Sequence, residues 1–270
     1  MYNCIKSELW KVSHSRWLLY TFILGFFIQV MNLMYNLTYV PYVLENSVVG
    51  ANVGQAVSLF LRWISIDGWT LGYNMLLILF PLLAALPFGW SFFTEVHSNY
   101  QNQILIRKNK WQYYCTKYIA TFISGGTVVC VTLLSNLLLN ALICPAVSVN
   151  SYVQTTEISP SEMLSKLYYS NPWLHSFIWI GIDFLWGGVL AALCILAAQI
   201  VKKRIFVVLM PFALLLLMDY LLPASWSPAQ YLLISSFTDH QLSTLLIMLG
   251  GFAIVGFVGG WLLYSKRETL

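Results

Sequence analysis

The chain has 270 residues, of which 59% are hydrophobic and 9% charged, with a mean hydropathy of +0.72. Soluble domains are about a quarter charged, so this balance excludes an ordinary water-soluble fold and points to repeated membrane spans of about 20 residues each. The net charge of +4 does not indicate nucleic acid, because the basic residues are scattered at the ends of apolar runs rather than gathered on one face.

Residues 2–16 read as a short interfacial helix. Ile5, Leu9 and Val12 recur at helical spacing, and Lys6, Lys11 and Arg16 suit anionic lipid headgroups. No cleaved signal peptide is expected, since the apolar stretch that follows is too long for a signal core. The first span is placed at 17–39, with Pro41 marking its end. A mixed loop, 41–71, contains VGANVGQAVSLFLRWI, expected as a helix lying at the outer surface. The second span, 71–94, carries Pro81 and Pro87, residues that kink a helix inside a bundle. A polar, basic interruption fills 95–117, and the third span follows at 118–144. The loop at 145–172 is acidic, with a capped helix expected from Ser159 and Pro160. The fourth span, 173–201, is stopped by Lys202-Lys203-Arg204, and the fifth runs over 205–222. Residues 223–242 are too apolar for an ordinary loop and too short to cross, so a re-entrant or interfacial hairpin is expected. The sixth span, 243–264, ends at Lys266-Arg267.

The expected fold class is therefore an all-α integral membrane protein. It has one transmembrane domain, 1–270, with six transmembrane helices, the N-terminal amphipathic helix and the hairpin between helices 5 and 6. Placing both termini inside puts Lys6, Lys11, Arg16, Arg107, Lys108, Lys110, Lys117, Lys202, Lys203, Arg204, Lys266 and Arg267 in the cytoplasm. Only Arg62 and Lys166 of the 14 basic residues then fall outside, the asymmetry that orients membrane proteins. Glu45, Asp67, Glu157, Glu162 and Asp239 fall on the outer side. The five cysteines fit no disulfide or zinc framework in this arrangement.

The interruption at 95–117 carries three features beyond a solvated hairpin. Glu95 closes the second span, and a polar stretch through Asn99 and Gln101 leads to Ile104, Leu105 and Ile106, apolar residues suited to a groove on a partner. Arg107, Lys108 and Lys110 form a basic cluster, and Trp111, Tyr113, Tyr114 and Lys117 read as interfacial anchors of the next span. This order resembles the ABC-2-type permeases, in which a Glu after the second span opens a coupling helix. Glu95, Ile104-Leu105, Arg107, Tyr114 and Lys117-Tyr118 occupy corresponding places, while Asn99 stands where the family often has Gly. The resemblance extends diffusely over nearly the whole chain.

What the resemblance implies is the type V permease subunit of an ATP-binding-cassette exporter in the bacterial cytoplasmic membrane. Its partners would be a second permease, as homodimer or heterodimer, and two soluble ATPase subunits carrying the ATP and Mg. It would move hydrophobic or amphipathic substrates such as antimicrobial peptides or lipids. No G-x-x-x-x-G-K-[ST] occurs, so ATP hydrolysis is not assigned to this polypeptide. No cofactor, metal site or catalytic set is expected on the chain. The four histidines form no paired ligand motif, and an intramembrane hydrolase needs more polar groups than the spans hold. Membrane lipids are expected contacts and nucleic acid is not.

Asp183 stands inside the fourth span on a face shared with Trp179 and Trp186. A carboxylate at that depth is hydrogen-bonded to a neighbouring span, held protonated, or part of a translocation path or interface. It opens an alternative reading, a self-contained proton-coupled carrier or a ligand-binding membrane sensor. Gly256 and Gly260 make a G-x-x-x-G, a spacing that lets helices approach closely.

Overall fold

The computed structural model describes residues 2–46, 57–106, 108–149, 158–159, 161–235 and 240–266. Among these residues there are helices and no strands. They are α1 (Tyr2–Ser13), α2 (Arg16–Asn46), α3 (Leu59–Arg62), α4 (Leu71–Ala85), α5 (Ser91–His97) and α6 (Tyr100–Leu105). They continue with α7 (Lys110–Asn140), α8 (Ser165–Ser170), α9 (Pro172–Ile200) and α10 (Arg204–Leu221). The last rod is α11 (Leu242–Ile254), joined through a π-helical turn at Val255–Gly259 to α12 (Gly260–Lys266). Five helical segments are long and apolar enough to cross a membrane: α2, α7, α9, α10 and the α11–α12 rod.

The centre is α9, which packs on α7, α10, α4, α11 and α12. Its seam with α7 is built from two glycine pairs. A Cβ on Gly125 would stand 2.7 Å from the Gly187 carbonyl and 2.8 Å from that of Ala84, and one on Gly188 would meet the Phe122 ring at 2.7 Å. The backbones therefore approach to a separation that only glycine allows, the packing that membrane helices favour where apolar burial drives nothing.

Several expected boundaries move. Pro41 lies within α2 rather than after it. The expected span at 71–94 is two helices: α4 stops at Ala85, a turn covers Leu86–Trp90, and α5 begins at Ser91. Pro87 has no N–H to continue the ladder, and a Cβ on Gly89 would meet Cys194 Sγ at 2.7 Å, so the bend is pressed directly onto α9. The third span begins at Lys110, earlier than expected, which carries Tyr113, Tyr114 and Lys117 into the helix. The described part of the helix expected at the outer surface is packed into the protein: Leu59, Phe60 and Trp63 are buried, and Trp63 Nε1 donates to the Leu133 carbonyl at 3.2 Å. The helix expected from Ser159 starts later, at Ser165, behind Leu164 in the left-handed region (φ 65°). Residues 224–231 form two short 3-10 turns, after which Ile234 N donates to the Ser65 carbonyl at 3.1 Å. Arg107, Glu157, Pro160, Asp239 and Arg267, with the first part of the expected outer-surface helix, lie outside the described residues.

One end of the bundle gathers the α1–α2 elbow, α5, α6, the start of α7, the α9–α10 turn and the end of α12. Contacts that join them include Arg204 over the Trp17 and Trp90 rings and Tyr264 against Tyr114. It holds Lys6, Lys11, Arg16, Lys117, Lys202, Lys203 and Arg204, and is called the basic end below.

At the opposite end, α2 and α7 are joined by four fully buried asparagines. Asn36 Nδ2 donates to Asn140 Oδ1 at 2.7 Å, and Asn140 and Asn136 both donate to Asn32 Oδ1, at 3.0 and 3.2 Å. Asn36 also donates to the Arg62 carbonyl at 3.0 Å, and Asn136 Oδ1 accepts from Ile64 N at 3.2 Å, which holds the α3 segment inside. In a low-dielectric bundle such a network specifies register, because a slipped partner leaves amides unpaired.

Candidate functional site

At the basic end two lysines and two glutamates from three helices meet, with Glu8, Glu95 and Lys117 buried and Lys11 at the partly exposed rim. The ammonium of Lys117, on α7, is fully buried and spends its three protons on Glu8 Oε2 of α1 (2.5 Å), Glu95 Oε1 of α5 (2.6 Å) and Ser91 Oγ of α5 (3.1 Å). Lys11, one helical turn beyond Glu8, reaches Glu8 Oε1 at 2.7 Å and Glu95 Oε1 at 3.3 Å. Tyr113, one turn before Lys117, donates its hydroxyl to Glu95 Oε2 at 2.7 Å. Two cations face two anions, so the cluster is neutral, and every proton of Lys117 is used. That is the condition under which a buried charge is tolerated.

The local folds that deliver these groups are legible. In α1, Glu8 and Val12 are four residues apart and share the buried face, while Lys6 and Trp10 stay exposed. Val12 packs with Phe88 and Ala120, which seats Glu8 above the α5–α7 crevice. Burial by itself pushes the Glu8 carboxyl up. The Lys117 ammonium and the hydrogen bonds from Lys11 and Lys117 outweigh it and hold Glu8 below its ordinary value of 4.5. For Lys11, burial pushes the ammonium down. The hydrogen bond to Glu8 and the Glu95 charge outweigh this and hold it above 10.5.

Beyond Glu95 the chain turns at Asn99, which adopts φ 56° and ψ 9°. This is the left-handed conformation that asparagine tolerates better than most residues. The short helix α6 follows. Ile104 and Leu105 turn inward and pack with the cluster that contains Phe92, Phe93 and Tyr113, and Gln101 is buried. Of the three apolar residues expected to suit a partner's groove, Ile104 and Leu105 are thus partly buried against the chain's own core, because a six-residue helix pressed against α5 and α7 has one face to bury. Ile106, 83% exposed, is the apolar residue that points outward, followed by the partly exposed Lys108 and Lys110.

Asp183 sits on α9 at 0% exposure, and neither carboxylate oxygen has a hydrogen-bond partner among the described residues. Its neighbours on that face are fully buried as well. Trp179 donates to His175 Nε2 at 3.0 Å, and Trp186 packs edge-on against Phe252 with its own N–H unpartnered. Gly256 and Gly260 face α9 and α7 within the same chain. A Cβ on Gly256 would meet Leu193 at 3.1 Å, one on Gly260 would collide with the Tyr114 hydroxyl, and that hydroxyl donates to the Phe257 carbonyl at 2.7 Å.

Glu8 was missed from sequence, where the N-terminal helix reads as basic and lipid-facing. So were the asparagines, although the pairs Asn32/Asn36 and Asn136/Asn140, each four apart inside apolar helices, are a readable signal. No group of three or more metal-binding side chains occurs among the described residues. No protein-family model matches the chain, and comparison with curated proteins and with solved structures finds no match.

Proposed function

We propose that this chain is the membrane-spanning permease subunit of an ATP-driven exporter, with ATP and Mg held by separate soluble ATPase subunits. The observation that carries the reading is the neutral cluster of Glu8, Lys11, Glu95 and Lys117, which ties α1, α5 and α7 into one block directly behind α6. A push delivered to α6 reaches the short α5, the long α7 and the interfacial helix together, because none of the three can move without unpairing a buried charge.

In this reading the basic end is cytoplasmic and both termini lie inside, following the distribution of Lys and Arg. α4, the bend at Pro87 and α5 together act as the sixth span. The 15 residues of α4 alone extend about 22 Å, short of the roughly 30 Å hydrocarbon core. The turns at 224–231 belong to a hairpin inserted from the outer face. A second permease completes the transport path, and the substrates are hydrophobic or amphipathic, peptides or lipids, a step that rests on the family resemblance alone.

The test is recovery of a partner. The tagged chain, extracted from native membranes in mild detergent, is expected to retain a soluble protein with a nucleotide-binding P-loop. Ile106→Glu combined with Lys108→Glu is expected to lower that recovery about tenfold or more, the scale of a lost interface anchor. The reading fails if no such protein is retained, or if the double variant retains as much as the parent.

A second reading is favoured by one observation, the two unpartnered oxygens of Asp183. A carboxylate buried in a span is a candidate proton carrier. In that case Asp183→Asn abolishes transport while depletion of ATP leaves it intact. The ATPase reading requires the reverse.

A further inference from the structure

A recess lies at the basic end, in the elbow between α1 and α2, with a volume of about 670 Å³. Its mouth is polar and cationic, formed by Ser13, His14 and Arg16, and its length is apolar, with Leu19, Phe22 and Phe26 along α2. Arg16 to Phe26 spans roughly 15 Å of helix axis, which is half of a hydrocarbon core of about 30 Å and therefore the depth of one leaflet. Leu19 and Phe26 are 58% and 59% exposed, so no described element of this chain covers the slot.

The charge at the mouth has no carboxylate partner among the described residues. Glu8 and Glu95, the carboxylates described at this end, are both consumed by Lys11 and Lys117. Arg16, Lys202, Lys203 and Arg204 make no ion pair among the described residues. Arg204 is nevertheless held in place, its guanidinium 3.8 Å from the Trp90 ring centre and 5.3 Å from that of Trp17, the residue next to Arg16. Cation–π contacts orient a guanidinium without neutralising it.

From this juxtaposition we infer that the elbow is a binding site for one acidic phospholipid of the cytoplasmic leaflet. The headgroup phosphate sits at Arg16 in the mouth, with Arg204, over the adjacent Trp17 ring, adding to the positive potential there, and an acyl chain lies along Leu19, Phe22 and Phe26. A zwitterionic lipid has the same chain but brings its own cation to a mouth already positive. The inference rests on the orientation proposed above and not on the ATPase. An ATPase that fails to co-purify leaves it intact, and a lost lipid preference leaves the ATPase pairing intact.

The experiment is native mass spectrometry of the full chain with an equimolar mixture of phosphatidylglycerol and phosphatidylcholine of the same acyl chains. The parent is expected to retain phosphatidylglycerol selectively. Arg16→Gln and Arg204→Gln are each expected to lower that occupancy about fivefold, and roughly 30-fold together, from the usual worth of one cation near an anionic surface. Arg16→Lys keeps the charge and should keep the preference, which separates binding from folding. Lys166→Gln, at the other end, should change nothing, and glycerol phosphate without chains should not displace the lipid. Equal retention of both lipids by the parent, an undiminished preference in the double Gln variant, an equal loss in Lys166→Gln, or displacement by glycerol phosphate each overturns the assignment.

Discussion

Replacing Lys117 with methionine keeps most of the side-chain volume and removes one charge from the basic-end cluster. Glu8 and Glu95 are then left with Lys11, whose side chain is 33% exposed and whose single ammonium already serves both carboxylates. The side chains of Lys117, Glu8 and Glu95 are 1%, 8% and 12% exposed, so solvent screening gives little relief. Breaking a buried pair by removing one partner costs about 3–5 kcal/mol. At roughly 2–4 °C per kcal/mol for a chain of this size, the melting temperature in detergent should fall by about 6–20 °C. The second half of the test is directional. In the Lys117→Met background, Glu8→Gln removes the surplus negative charge and should recover part of the loss, whereas in the parent the same Glu8→Gln destabilises. Differential scanning fluorimetry on the four proteins closes the cycle. A Lys117→Met melting temperature unchanged from the parent, or a double variant worse than both singles summed, would refute the account of the cluster as a neutral, mutually dependent set.

Three further outcomes follow from the same geometry. Because Glu8 is held below 4.5, its stabilising contribution is present above that value and is lost as pH falls through the folded value. The Lys11 contribution is present below 10.5 and lost as pH rises beyond it. Hydrogen exchange read by mass spectrometry should therefore show residues 2–13 protected across the neutral range and deprotected in acid before the α7–α9 seam opens; retained protection of α1 in strong acid would contradict this. Gly125→Ala should cost about 1–3 kcal/mol through overpacking onto immovable backbone, while Gly251→Ala, which meets nothing within 4 Å, should be neutral or gain up to about 1 kcal/mol in helix propensity. The two melting temperatures, compared in one detergent, decide it, and equal effects would refute the seam. Asp183→Asn keeps the shape and removes a buried acid without hydrogen bonds, so the melting temperature should hold or rise. A large fall would mean that the carboxylate has a partner in the assembled protein.

The class of the protein, the order of its apolar helices and the crowding of basic residues at one end follow from the chain read residue by residue. Hydrophobic length and the placement of Lys and Arg are local properties, and they need no knowledge of what packs where. The roles of individual polar groups do require that knowledge. Lys117 reads as an interfacial anchor until Glu8, 109 residues away, is seen to hold it. Ile104 and Leu105 read with Ile106 as suited to a partner's groove until they are seen to pack partly against the chain's own core. Gly125 and Gly187 read as ordinary small residues until their helices cross. A charge or a glycine has no meaning by itself in a bilayer. Its free energy is set by the partner, and the partner is chosen by tertiary packing.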